Sequence, residues 1–167
     1  MSPRARLEQN LIRYRQHRLY KALIIGGAIA AMASLADALG PMFGATLFVP
    51  PLAASLFLVI AFPEAEMAQP RAVLGGQVLC AVLSISVMQW LPWPSMVVAT
   101  SFFLSIVSMI LTRTVHAPAA ATIYFVIMTE ASWNVVITPI ALGSLLVIAI
   151  ACLVNKLRGE KYPRHWL

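Results

Sequence analysis

Residues 72–112 contain no Asp, Glu, Lys or Arg, and this run constrains the fold more than any other feature. A helix crossing the hydrocarbon core needs about 20 apolar residues, so the stretch holds two. Trp90-Leu91-Pro92-Trp93-Pro94 marks the break between them. The prolines stop helices, and the tryptophans suit the headgroup layer. Residues 22–36, 38–63, 114–129 and 131–155 are also free of charge. Charged residues make up 11% of the chain and hydrophobic ones 60%, against about 25% charge in a soluble domain. The chain is therefore expected to be an all-α polytopic membrane protein, a helix bundle with no soluble core.

Six apolar segments are predicted, near 22–39, 44–62, 72–91, 95–112, 117–130 and 135–154. A basic arm, 1–21, precedes them and a basic tail, 155–167, follows. In the arm, Leu7, Leu11 and Tyr14 recur at helical spacing among arginines. The pattern fits a short helix lying on the membrane surface, or a solvated tail. The first segment is expected to stay in the chain rather than to be cleaved as a signal peptide, because its basic leader is long. Pro50-Pro51 interrupts the second segment, and His116-Ala117-Pro118 opens the fifth. Each is left with about 12 helical residues, which rise about 18 Å, well short of the ~30 Å core. Both are predicted to be half-length helices with non-helical backbone ahead of them.

The net charge of +6 is expected to reflect topology and anionic headgroups, not nucleic acid. Arg4, Arg6, Arg13, Arg15, Arg18 and Lys21 precede the first segment, and Lys156, Arg158, Lys161 and Arg164 follow the last. With six crossings and the N-terminus inside, Arg71 and Arg113 fall inside as well. All 12 Lys and Arg then obey the positive-inside rule. If segments two and five instead enter and leave on the same side, Arg71 and Arg113 fall outside, so the rule favours six crossings with both termini cytoplasmic. The membrane expected is the plasma membrane of a bacterial cell. Cys80 and Cys152 lie inside apolar runs and are expected to be inert thiols.

Pro51-Leu52-Ala53-Ala54-Ser55-Leu56-Phe57-Leu58-Val59-Ile60 aligns without gaps on Pro118-Ala119-Ala120-Ala121-Thr122-Ile123-Tyr124-Phe125-Val126-Ile127, with five of ten positions identical. Two copies of three segments, 22–91 and 95–154, would insert in opposite orientations, as in the inverted repeats of secondary transporters. The two short helices would then meet by their N-termini, whose amides and dipoles attract anions.

Ala68-Gln69-Pro70-Arg71, then Val73-Leu74-Gly75-Gly76, and His116-Ala117-Pro118-Ala119-Ala120-Ala121-Thr122 resemble the HPP family of small integral membrane proteins. The resemblance covers about 45–154. In that family the last motif reads roughly His-Pro-Pro-Ala-Gly-Ala-Thr, and a His follows the Gly-Gly pair. Here Ala117 replaces the middle proline, Ala53 and Ala120 stand where the family has glycine, and Gln77 replaces the second His. The resemblance implies transport of nitrite or a similar monovalent anion, the activity associated with chloroplast members.

The expected binding residues are Pro51, Ala53, Ala54 and Ser55 on one short helix and Pro118, Ala120, Ala121 and Thr122 on the other. Gln69, Arg71, Gln77 and His116 are expected to line or tune the path. Asp37 and Glu130 are expected to reach headgroups at the outer ends of their segments. Ser84, Ser86, Ser101, Ser105 and Ser108 are expected to pack helices. No metal-ligand spacing, phosphate loop or nucleophile–base pair occurs, so neither an enzyme nor a cofactor is expected. The partners expected are a small inorganic anion, membrane lipids, and further copies of the chain as a dimer or trimer. Close packing of those copies is expected at Gly26-Gly27 or Gly75-Gly76. The competing expectation is a membrane interaction or sensory subunit with no flux of its own.

Overall fold

A computed structural model describes residues 3–44 and 46–166, and these are helices joined by short turns and extended segments. The helices are α1 (Pro3–Phe43), α2 (Pro50–Ala61), α3 (Pro70–Trp90), α4 (Pro94–Thr112), α5 (Ala119–Met128) and α6 (Leu142–Leu157). α3, α4, the hydrophobic part of α1 and the stretch Val136–Leu157 are long and apolar enough to cross a membrane. α2 and α5 are short apolar helices. The chain is a polytopic all-α membrane protein.

Proline sets most helix starts. It occupies the first turn of α2, α3 and α4, where its missing N–H removes no intrahelical bond. α4 ends at Arg113, whose left-handed backbone (φ 57°) closes the helix. The basic arm differs from the separate surface helix that its spacing suggested. It continues directly into the first segment as one helix, Pro3–Phe43, because nothing between the two stretches breaks helix: the first proline after Pro3 is Pro41. The sixth segment is less regular than expected. A wide turn over Val136–Ala141 contains Pro139 and a non-helical Thr138 (φ −129°, ψ 113°) before α6 begins.

Both short helices are preceded by extended backbone, at 46–49 and 114–116, as Pro50-Pro51 and Pro118 led us to expect. Each extended segment crosses a glycine. A methyl group on Gly76 of α3 would lie 2.8 Å from the Thr114 carbonyl oxygen and 2.8 Å from His116 Cβ. One on Gly143 of α6 would lie 2.9 Å from the Leu47 carbonyl oxygen and would overlap Leu52. Only glycine admits backbone this close. The Gly75-Gly76 face is thus filled from within the chain and is not free for another copy. Gly26 and Gly27 face open space.

Basic residues gather at one end of the bundle and cap helix C-termini there. Lys21 Nζ donates to the Ala61 carbonyl at 2.6 Å, and Arg158 Nη1 to the Ile60 carbonyl at 2.7 Å. Cations on these terminal carbonyls of α2 complement its dipole. Arg71 Nη2 does the same for α4, reaching the Thr112 carbonyl at 2.6 Å. The tail folds back over this end. Tyr162 donates its hydroxyl proton to the Ala68 carbonyl at 3.0 Å, and the Arg164 amide donates to Gln69 Oε1 at 2.9 Å. Burial pushes the Tyr162 hydroxyl up, so it remains a donor. At the other end, Leu91, Pro92, Pro94, Met128 and Glu130 line a cleft, and Trp90 and Trp93 project outward. The main core is formed by the inward faces of α1, α2, α3 and α6, with Met32, Leu52, Leu56, Val59, Ile60, Val73 and Val147 at its centre.

Candidate functional site

Four polar side chains meet at the first turns of the two short helices. Ser55 on α2, Gln77 on α3, Thr122 on α5 and His116 just before α5 all have zero exposure. Buried groups of this kind must be hydrogen-bonded to one another or be costly. The Thr122 hydroxyl donates to Gln77 Oε1 in a short contact. Gln77 Nε2 donates to Ser55 Oγ at 2.8 Å and lies 3.5 Å from the Pro51 carbonyl. Ser55 Oγ lies 2.8 Å from His116 Nε2 and 2.9 Å from the Pro51 carbonyl. His116 Nδ1 lies 2.7 Å from the Met67 carbonyl.

Each position follows from local structure. Ser55 and Thr122 sit within the first two turns of their helices, on the faces turned inward. Gln77 follows Gly76, whose missing side chain lets the His116 segment lie against α3. His116 lies between the fourth and fifth segments, and burial pushes its imidazole down to about 4, partly opposed by the Met67 carbonyl. No charged side chain hydrogen-bonds to this cluster among the described residues. It is a neutral constellation of rotatable hydroxyl and amide donors.

The other expected site residues lie elsewhere. Ala53 and Ala120 are half-buried, while Ala54 and Ala121 are exposed on the outer faces of their helices. The amides following Pro118 are not free donors. Ala119, Ala120 and Ala121 N–H groups bond to the carbonyls of His116, Ala117 and Pro118 at 3.0, 3.2 and 3.0 Å. In α2 the Leu52 amide likewise bonds to the Val49 carbonyl. These tight first turns satisfy the groups that a plain helix end leaves open. Gln69 is buried, but its Nε2 is bound to the Pro63 and Ala65 carbonyls and its Oε1 to the tail. Arg71 borders a cleft of about 180 Å³ with Glu66, Gln69, Arg113 and His165.

Sequence reasoning missed the Met67 carbonyl, Thr114 and the tail contacts. It also missed Ser144, which is fully buried with no hydrogen-bond partner, as are Ser101 and Ser105. One signal was available for Ser144. At the repeat offset, Gly76-Gln77 falls on Gly143-Ser144. Cys80 and Cys152 are free, and no group of three His, Cys, Asp or Glu suited to a metal ion occurs among the described residues.

The arrangement just described lies within the stretch matched by the model of the HPP transmembrane region, which covers residues 13–163. The chain belongs to the HPP family. Two transmembrane proteins of Dictyostelium discoideum are similar to this HPP protein, each 30% identical over 123 residues. These matches cover 68% of the chain and 40% and 43% of the relatives. The chain spans less than half the length of either. No solved structure matches it.

Proposed function

We propose that this HPP-family chain carries a small monovalent anion, nitrite or a similar species, across the plasma membrane of a bacterial cell. The observation that carries the proposal is the buried, uncharged donor cluster to which both short helices contribute. Hydroxyl and amide protons suit an anion, and the cluster contains no carboxylate to repel one. A fixed charge at membrane depth would cost at least ~2.5–3.5 kcal/mol on insertion scales; rotatable neutral donors avoid that cost. Arg71 and Arg113 outnumber Glu66 at the nearby cleft, and this positive balance would draw anions to the entrance.

An inverted repeat belongs to the same proposal. The offset of the ten-residue match relates Ser55 to Thr122, and both bond or approach the same Gln77. It also relates Gly76 to Gly143 and Leu47 to Thr114. The Gly76–Thr114 contact and the Gly143–Leu47 contact are thus each other's images under exchange of the two halves. Such reciprocity supports a pseudo-two-fold axis, and alternation of the halves gives a route for transport. Both termini are proposed to be cytoplasmic, with the capped, basic end of the bundle inside. Copies of the chain are proposed to pair through the open Gly26-Gly27 face.

A non-transporting interaction or sensory subunit is the second reading, favoured by the complete mutual satisfaction of the four polar side chains. Uptake by purified protein in liposomes, across a panel of anions, decides between them. Saturable uptake that Thr122→Val weakens supports transport. A folded, monodisperse protein that moves none of the anions leaves the second reading standing. Reagent access to Cys at positions 71 and 113 from the outer face of intact cells would contradict the orientation.

A further inference from the structure

The two ring nitrogens of His116 have different surroundings. A carbonyl only accepts hydrogen bonds, so the Nδ1 that lies 2.7 Å from the Met67 carbonyl carries a proton in either charge state. The state of Nε2 then depends on Ser55. Thr122 donates to Gln77 Oε1, which orients the amide and makes Gln77 Nε2 the donor to Ser55 Oγ. The single Ser55 proton has two acceptors in reach, His116 Nε2 at 2.8 Å and the Pro51 carbonyl at 2.9 Å. With a neutral ring, Ser55 donates to Nε2. With a protonated ring, Nε2–H donates to Ser55 Oγ, and the serine proton turns to Pro51. The second state is fully bonded too, so the cluster has a place for one added proton.

Among the described residues, no side chain in hydrogen-bonding contact with the ring is charged. α2 presents Pro51 and Ser55. The segment between α2 and α3 presents the Met67 carbonyl, with Glu66 beside it. α3 presents Gly76 and Gln77, with Arg71 nearer its start. α5 presents Ala119 and Thr122, and α4 brings the Met109 sulfur close to Gly76. Arg113 belongs to the segment that carries the ring itself. Glu66, Arg71 and Arg113 face a cleft together with His165.

A lone imidazolium here would lack a counter-charge, and so would a lone anion among these donors. Each stabilises the other, and by linkage the coupling is reciprocal. We propose that His116 takes up one proton with each anion, so that the loaded site is neutral and the protein is an electroneutral proton–anion symporter. The proton adds to Nε2 from water on one side and leaves to water on the other, together with the anion. This inference rests on the transport reading and adds its coupling ion.

The test uses the purified full chain in liposomes, with pyranine inside and nitrate as the first probe. Nitrate is the anion of a strong acid and does not leak across as a neutral acid. Nitrite is the second probe, corrected with protein-free vesicles. An acid exterior should drive nitrate inward to a ratio of about tenfold per pH unit. Interior acidification should keep step at one proton per anion. An imposed membrane potential should have no effect. His116→Gln should lose the acceleration by an acid exterior. Flux by the unaltered protein that follows the potential and ignores the pH gradient overturns the coupling and leaves the transport reading intact. Absence of flux for every probe overturns both.

Discussion

The reciprocal glycines allow a sharp test of the packing. Replacing Gly76 by Ala places a methyl 2.8 Å from both the Thr114 carbonyl oxygen and His116 Cβ. Neither is the flexible end of a side chain. The 114–116 segment must therefore move, and overpacking of this kind costs about 1–3 kcal/mol. Against that stands the helix preference for Ala over Gly, about 0.5–1 kcal/mol. The net loss should be about 1–2 kcal/mol, a fall of about 2–8 °C in melting temperature for a chain of this size. Gly143→Ala meets the Leu47 carbonyl at 2.9 Å and should lose a similar amount. Gly26→Ala, with nothing within 4 Å inside the chain, should lose nothing when the single chain is melted. Gly75→Ala is the diagnostic case, because the methyl meets Thr114 Cγ2 at 2.7 Å. Thr114→Ser removes that atom, so it should rescue Gly75→Ala and leave Gly76→Ala unrescued. The assay is thermal unfolding in detergent, followed by intrinsic tryptophan fluorescence and by size-exclusion recovery. If Gly76→Ala and Gly143→Ala melt with Gly26→Ala, the close crossing of the extended segments is refuted.

Gln77→Leu removes the partner shared by Ser55 and Thr122. Leaving two buried hydroxyls short of bonds should cost about 2–4 kcal/mol, measured by the same melts. Tyr162→Phe deletes one bond to the Ala68 carbonyl and should cost about 1 kcal/mol, while opening the tail to limited proteolysis. The folded pKa of His116 lies below its ordinary value, at about 4, so between about 6.5 and 4 the unfolded chain binds a proton that the folded chain refuses. In the absence of a transported anion, stability should be flat above about pH 7 and fall as pH drops through that window. His116→Gln should flatten the profile, and an unchanged slope would count against the buried neutral ring.

The segments were legible in the sequence because charge and proline delimit them. The uncharged run 72–112 yielded α3 and α4, and Pro50-Pro51 and Pro118 foretold the short helices and their extended leads. Ser55, Gln77, His116 and Thr122 stand out in the sequence by motif and by repeat position. What could not be read was which polar groups near them belong to the cluster. Gln69 and Arg71 stand one helix end away from it, and only three-dimensional packing turns Gln69 toward the tail and Arg71 toward α4. The amide donors were misjudged for a different reason. A proline at a helix start is compatible with open or tightened first turns, and the backbone took the tight form. The long α1 was missed because the arginine-rich arm differs sharply in polarity from the segment after it, while helical backbone is indifferent to that change.

The caps on α2 also bear on the order of biogenesis. The carbonyls at its C-terminal end are bonded by Lys21, from just before the first segment, and by Arg158, from beyond the last. Asn155, near the end of α6, approaches the Val59 carbonyl as well. During synthesis the first of these partners is present when α2 emerges, and the others are not. The carbonyls that a helix end leaves open need side-chain or water partners, and for α2 the side-chain set is complete only once residue 158 has been made. One short helix is thus fastened at the same end by residues that flank it far apart in the sequence, Lys21 before it and Arg158 after it.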